Sequence, residues 1–449
     1  MSNSVAIQEK RFVKLIPSNN STTGYSPDSS QPIIRFSLAD TQALALMKDA
    51  RLNARIQVIR TGTTPAAQTD DFNIDPVTGY CGVLDQVIIS SRRFGSTIEQ
   101  VTNMNRLDSA YYRSKFSPKD VASHSYMKTR SVGLGRYARF AGTTEASTTL
   151  ADLRLTAQRK KLVTTGVASP SPLSEDLQEV SIPLHAGFFL TEDDVDLSAV
   201  GGVELAIYLS KPQALFFGTG ANPPTGASTY KLLDVSLTVP LVYKTAQQIA
   251  MTPPESQVEF LNWTSLFSVL DSSVSSIAHR LYLSGLVSMI HNALPTAEIN
   301  NVASNQMALK QTGVERLTFL KNGVRSPMEK TTITDKKPAE RVEVTPSLYS
   351  EVITDYLSAW MAPRDLKHTQ VIPQLLKGIA NRSGVAGLGA NFSPESSGVN
   401  LAGTLSLDLQ SKLEDVATGL TTEPYALFSF YLSRQSFLTS PSGLTQISA

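Results

Sequence analysis

Histidines, a thiol and clustered carboxylates are the side chains that would carry catalysis or bind a metal in this sequence, and none is spaced for it. The five histidines, His124, His185, His279, His291 and His368, fall in no HExxH run and no short metal-ligand spacing. Each reads as a surface or hydrogen-bonded polar residue. The lone Cys81 excludes an intrachain disulfide framework and a multi-cysteine metal cluster, and it reads as a small buried apolar residue. Glu192, Asp193, Asp194 and Asp196 gather carboxylates, yet they match no calcium-loop spacing and read as a solvated turn. Neither a GxSxG elbow nor a GxxxxGKS/T loop occurs. The glycine-rich run Gly384–Gly389 lacks the strand and helix that a dinucleotide fingerprint needs, and reads as a turn whose backbone requires positive φ. No local pattern suggests the carboxylate pair of a glycosidase. The expected catalytic, cofactor-binding and metal-ligating residues are therefore none, and no enzyme is expected.

Binding chemistry has one candidate stretch. Residues 119–175 carry Lys119, Lys128, Arg130, Arg136, Arg139, Arg154, Arg159, Lys160 and Lys161, well in excess of their acidic neighbours. Clustered cations suit phosphate contacts, but Tyr126, Tyr137 and Phe140 make a thin stacking platform. Both a nucleic-acid contact and a long inter-strand insertion touching a neighbouring subunit fit this composition. The whole chain is balanced, with 40 basic against 39 acidic side chains and a formal charge of +1, which argues against a protein devoted to wrapping nucleic acid. No apolar run approaches the ~20 residues that span a bilayer, and the N-terminal sequence lacks a signal-peptide core, so synthesis without a signal peptide is expected.

The elements behind these residues read as strands. In GGVELAIYLS, Val203, Leu205, Ile207 and Leu209 alternate with polar residues, and in YKLLDVSLTVPLVY the sequence places Leu233, Val235, Leu237, Val239 and Leu241 on one face. Strict alternation marks a strand with one buried face. The same reading covers IIRFSLA, RLNARIQVIR, GYCGVLDQVIISSRRFGSTIEQV with a turn at Phe94-Gly95, and EVSIPLHAGFFL. It continues through VEFLNWTSLFSV, HRLYLSGLVSMI, GVERLTFLKNGVRSP with a turn at Asn322-Gly323, GVNLAGTLSLDLQSKL and PYALFSFYLSRQSF. Helices are expected in DTQALALMKDA, capped by Asp40, in NRLDSAYYRSKF, and in PSLYSEVITDYLSAWM. Residues 1–30 are polar and turn-rich and read as an arm, and Pro253-Pro254 marks a boundary between 31–250 and 251–449.

The two halves echo each other. Gly202-Val203-Glu204-Leu205 precedes Tyr230 by 28 positions and Gly398-Val399-Asn400-Leu401 precedes Tyr425 by 27, each tyrosine opening an alternating strand. Ile34-x-Phe36 and Val258-x-Phe260 stand at the two starts. A plan used twice, with antiparallel strands and long connections, points to an all-β fold of two consecutive eight-stranded antiparallel jelly rolls with a few short helices.

Four passages also resemble a family: GVLDQVIISSRRFGSTIEQVTNMNRLDSAYY, GGVELAIYLS with YKLLDVSLTVPLVY, LTFLKNGVRSP, and GLGANFSPESSGVNLAGTLSLDLQSKL with PYALFSFYL. Together they are similar to the double jelly-roll major capsid proteins of double-stranded DNA viruses, a lineage that includes tailless phages, virophages and polinton-like viruses. The resemblance implies a homotrimer of pseudo-hexagonal outline that tiles an icosahedral shell and resides in the virion. It also implies contacts with other capsomers and with minor capsid, penton or cement proteins. Residues 119–175 and 324–345 would then face neighbours or the outside. The arm, with Lys10, Arg11 and Lys14, would face a membrane or genome within. The rival readings are a carbohydrate- or receptor-binding β-sandwich, which would display Trp263 and Trp360 on a shallow face, and an enzyme on a β-scaffold.

Overall fold

A computed structural model describes residues 10–28, 32–39, 42–59, 73–74, 78–115, 177–191, 193–217, 229–251, 255–270, 276–282, 285–299, 301, 306–307, 314–321, 324–325, 331–332, 387–391, 399–400, 404–411, 414–415, 419–420, 424–440 and 443–447. The first half runs β1 (Lys10–Leu15), β2 (Ile33–Leu38), β3 (Ala43–Ala45), β4 (Arg51–Ile59), β5 (Asn73–Ile74), β6 (Leu84–Ser91), β7 (Thr97–Thr102), α1 (Met104–Lys115), β8 (Leu177–Pro183), α2 (Gly187–Leu190), β9 (Val195–Asp196), α3 (Leu197–Val200), β10 (Val203–Leu209), α4 (Pro212–Leu215), β11 (Phe216–Phe217), β12 (Thr229–Tyr243) and α5 (Ala246–Met251). The second half runs β13 (Ser256–Leu270), β14 (Ser276–Tyr282), β15 (Gly285–Pro295), β16 (Val314–Lys321), β17 (Val324–Arg325), β18 (Thr331–Thr332), β19 (Gly387–Asn391), β20 (Val399–Asn400), β21 (Thr404–Ser411), β22 (Glu414–Asp415), β23 (Gly419–Leu420), β24 (Tyr425–Ser440) and β25 (Gly443–Ile447).

One connection rule generates both halves. In the first, β1 pairs with β12, β12 with β4 and β4 with β8, while β2 pairs with β10, β10 with β6 and β6 with β7. In the second, β13 pairs with β24, β24 with β15 and β15 with β19, while β14 pairs with β21, β21 with β16 and β16 with β17. Every one of these pairings is antiparallel. Taking eight strands per half, first joins last, last joins third and third joins sixth in one sheet. Second joins seventh, seventh joins fourth and fourth joins fifth in the other. That is the jelly roll, twice. The short pairs β3–β9, β5–β11 and β22–β23 and the strands β18, β20 and β25 decorate it.

Alternation supplies the core. Val203, Leu205, Ile207 and Leu209 of β10 are buried, as are Ile34, Phe36 and Leu38 of β2, and Val87 and Ile89 of β6. The turn after β10's predecessor helix needs glycine: Gly201 and Gly202 hold φ of +75° and +82°, and a Cβ on Gly202 would lie 2.8 Å from the Leu38 carbonyl oxygen.

Six expectations are corrected here. Lys10–Leu15, placed by its composition in an irregular arm, is β1, the first strand of the first roll. It is an edge strand whose Lys10, Arg11, Phe12 and Lys14 are exposed, so it lacks the apolar alternation that reveals half-buried strands. Its existence shifts the equivalence of the halves. Val258 and Phe260 lie on β13, whose counterpart is β1, whereas Ile34 and Phe36 lie on β2. In β12 a bulge between Leu233 and Ser236, with Asp234 at φ +50°, switches the buried face. Tyr230 and Leu232 point inward before it, Val235, Leu237, Val239 and Leu241 after it, and Leu233 is only half-buried. The segment after Asp40 forms β3 and a single 3-10 turn rather than an α-helix, and the helical stretch at the end of EVSIPLHAGFFL is α2. Gly387–Asn391, read within a glycine turn, is β19, paired with Ser288–Asn292. Residues 119–175, the expected helix in PSLYSEVITDYLSAWM, Pro253-Pro254, and most of 326–345 lie outside the described residues.

Candidate functional site

The most elaborate polar constellation in the described chain lies where the two rolls meet, and β7 organises it. Ile98 and Glu99 are consecutive and both buried. Adjacent strand residues point to opposite faces, so β7 is covered on both sides. One cover is the first roll's own core; the other comes from α2 and β13.

Glu99 is 1% exposed and serves three backbone donors from two different elements. Its Oε1 accepts from Gly187 N at 2.8 Å and Trp263 N at 2.7 Å, and its Oε2 accepts from Phe188 N at 2.8 Å. Burial pushes the carboxyl up to about 7, and the three N–H donors pull it down only part of the way. The donor from β13 is available because β24 occupies only one edge of that strand, pairing Trp263 with Leu432. The other edge is left for the first roll.

Hydrogen bonds continue along this seam. Leu261 N donates to Thr191 Oγ1 at 3.1 Å, and Thr102 N donates to Ser265 Oγ at 3.0 Å. Asn262 Nδ2 donates to Ile98 O at 2.6 Å and to Gln435 Oε1 at 3.0 Å. The approach is close enough to exclude a side chain at Gly187, where a Cβ would sit 2.7 Å from Asn262 N and 2.8 Å from its Cα. Apolar packing fills the remainder. Trp263 is 1% exposed, Phe188 stacks obliquely on Phe260 with ring centres 5.0 Å apart, and Phe260 meets Phe437 at 5.8 Å.

From α1, Arg106 lies over the Phe428 ring at 5.5 Å and donates through Nη2 to Gln306 Oε1 at 2.9 Å. Ser109 Oγ donates to Met307 O at 2.5 Å. On the first-roll side of the same helix, Asp108 and His185 form a buried pair with Oδ1 and Nδ1 2.7 Å apart. Burial pushes the Asp108 carboxyl up, and the His185 contact opposes that shift.

This arrangement fastens the two rolls together: both Glu99 oxygens are filled by N–H donors from α2 and β13. Among the described residues no group of three or more His, Cys, Asp or Glu side chains is placed to hold a metal. Cys81 is fully buried. In the acidic turn, Asp193 and Asp194 are exposed, while Asp196 accepts from Ser198 N, capping α3, and pairs with Lys244. Burial raises the Asp196 carboxyl, but Lys244 and Ser198 outweigh it and hold it below the usual range. Of the histidines only His185 has a described side chain, and it is hydrogen-bonded within the core. Glu99 escaped sequence reasoning, although a glutamate on the same strand face as Val101 was a visible signal.

No protein-family model and no curated protein matches the chain. Solved structures do. The Faustovirus major capsid protein aligns with a TM-score of 0.56 at 10% identity, over 98% of this chain and 92% of that one. The PBCV-1 virus capsid structure aligns with a TM-score of 0.52 at 11% identity, over 98% and 97%. The Sputnik virophage structure aligns with a TM-score of 0.52 at 9% identity, over 98% and 88%. At these identities the likeness is one of fold: the chain is a double jelly roll of the kind found in those capsid proteins.

Proposed function

We propose that this chain is a structural major capsid protein with no chemistry of its own. The observation that carries the reading is the jelly-roll strand order, present twice in series in a fold shared along nearly the whole chain with virus capsid proteins. In this reading residues 31–250, completed by β1, form the first roll and residues 251–449 the second. Three copies join into a trimer of pseudo-hexagonal outline, and trimers tile an icosahedral shell in the virion. Two sandwiches fastened at a buried seam suit that role. They present constant edges to neighbours, and many contacts of ~1 kcal/mol each add up while remaining individually reversible.

The partners are further copies of the chain, with minor capsid, penton or cement proteins at the places where trimers alone leave gaps. Residues 119–175 and 324–345 face neighbours or the exterior. The inner contact with membrane or genome belongs to the N-terminal arm of residues 1–30, whose Lys10, Arg11 and Lys14 are exposed along β1. Of the two tryptophans that a glycan-binding face would display, Trp263 is buried and Trp360 lies outside the described residues. Electron microscopy of the purified protein tests the proposal. Hexagonally outlined trimers or regular shells are expected; a compact monomer with glycan affinity or catalytic turnover would overturn it.

A further inference from the structure

Two buried carboxyls grip one short stretch of chain, the passage from β8 into α2, in which Leu184–Phe189 are all buried. Asp108 of α1 takes it at His185, with Oδ1 and Nδ1 2.7 Å apart. Glu99 of β7 takes it two and three residues later, at Gly187 N and Phe188 N. Glu99 also accepts from Trp263 N of β13, so the stretch and the second roll share one carboxyl. Just beyond α2, Thr191 Oγ1 receives Leu261 N. A single short segment thus ties α1 and β7 of the first roll to β13 of the second.

The surroundings offer these carboxyls little charge to pair with. Gly187–Leu190 and Leu261–Trp263, which meet Glu99, contain no titratable side chain, and Ile89 stands opposite it on β6. The charged groups of the adjoining elements, Lys48, Asp49, Glu259 and Arg434, are exposed. Asp108 faces His185, and its Oδ2 is buried and accepts no hydrogen bond among the described residues. On the elements packed against α1, Tyr80 and Cys81 are buried, while Asp85 draws on Arg106 and Lys211. Burial raises both Glu99 and Asp108, so each stabilises the fold while protonated and loses that contribution as pH rises. An ionised carboxyl at such a place needs hydration. With the segment seated there is no room for it beside Gly187, where even a Cβ would lie 2.7 Å from Asn262 N.

We propose that the segment from His185 to Thr191 is a proton-controlled clasp between the two rolls, closed while Glu99 and Asp108 are protonated and opened when they give up their protons to solvent. Opening lifts α2, admits water to the carboxyls and frees the facing edge of β13. The two rolls are then joined most firmly below neutral pH, and an alkaline shift loosens the subunit from within.

Hydrogen exchange of the full chain, read by mass spectrometry at about pH 6 and about pH 8.5 and corrected for the intrinsic rate at each, tests the clasp. Peptides over 185–191 and 261–265 should lose protection at least about tenfold at the higher pH, while β10 keeps its own. Glu99→Gln, which cannot ionise, should hold both segments constant across this range, and Asp108→Asn should reduce the change. Infrared difference spectra of the wild type decide the matter if the variants fail to fold: a protonated-carboxyl band should be present at the lower pH and lost at the higher. Equal protection of the two segments at both pH values, a response that Glu99→Gln retains, or no titrating carboxyl band overturns the clasp. Every readout comes from within one chain, so failure of the clasp leaves the capsid reading standing, and failure of that reading leaves the clasp.

Discussion

At the scale of single residues, Glu99 sets a pH dependence whose sign is fixed by its surroundings. Its carboxyl binds a proton near 4.5 in the unfolded chain and near 7 in the fold, because burial disfavours the charge. The stability it contributes is complete below about pH 4.5 and is lost as pH rises through about 7, a change of ~3 kcal/mol. Wild-type melting temperature is therefore expected to fall between pH 5 and pH 8 by more than that of Glu99→Gln. Superimposable pH profiles for the two would refute the assignment. Gly187 makes a second prediction. A methyl group there meets the backbone of Asn262 and has nowhere to move, so Gly187→Ala should cost about 2 kcal/mol in denaturant unfolding. A cost near zero would show that the seam can open by several tenths of an ångström.

Among the elements, β1 repays the closest look. It pairs with β12 over Lys10–Leu15, and Val13 and Leu15 pack on the core. The following chain crosses to the second sheet, where Ser18 N donates to Arg35 O, and returns to β12 through Tyr25, which is 2% exposed and bridges Leu232. Truncation should reflect this division. Removing residues 1–9 leaves thermal stability unchanged, whereas removing residues 1–28 strips β1 and Tyr25 from the sheet and lowers the melting temperature by several degrees (roughly 4 °C or more, from a loss of at least ~2 kcal/mol). Equal melting of the two truncations would return β1 to the status of a loose arm. β13 shows the complementary case, an edge strand whose free side is already taken by Glu99 and Thr191.

For the whole molecule, the seam makes two rolls behave as one. Phe260, Trp263, Phe428 and Phe430 of the second roll belong to the same buried apolar cluster as the first roll's core. A single calorimetric transition is expected, with calorimetric and van't Hoff enthalpies in agreement. Trp263→Ala removes the largest fully buried side chain at the junction, costs about 3–5 kcal/mol, and should split the transition in two. A wild type that already melts in two steps would mean the rolls are independent bodies.

Sequence alone determined the strand content, the want of spaced catalytic motifs and one true landmark of the duplication, the tyrosines opening β12 and β24. Each of these is written in local patterns: alternation in β10, the tyrosines opening β12 and β24, and the missing ligand spacings. The other echo, Val203 with Val399, fails, because Val203 lies on β10 and Val399 on β20, which pairs with β15 rather than standing where β21 does. The same locality explains what was legible of the site, where Trp263 could be placed in a strand but not against a partner. Tertiary structure decided the rest. β1 is a strand because β12 offers it an edge, although its own residues are mostly exposed. Gly387–Asn391 is extended because β15 pairs with it. The buried face of β12 changes at Asp234 because one extra residue enters a ladder whose side-chain period is two. Glu99 is a fastener because chain segments 88 and 164 residues away bring N–H groups to it. Pairing partners, edges and burial on both faces arise from contacts between distant segments, and a local pattern of apolar and polar residues carries no record of which segments will meet.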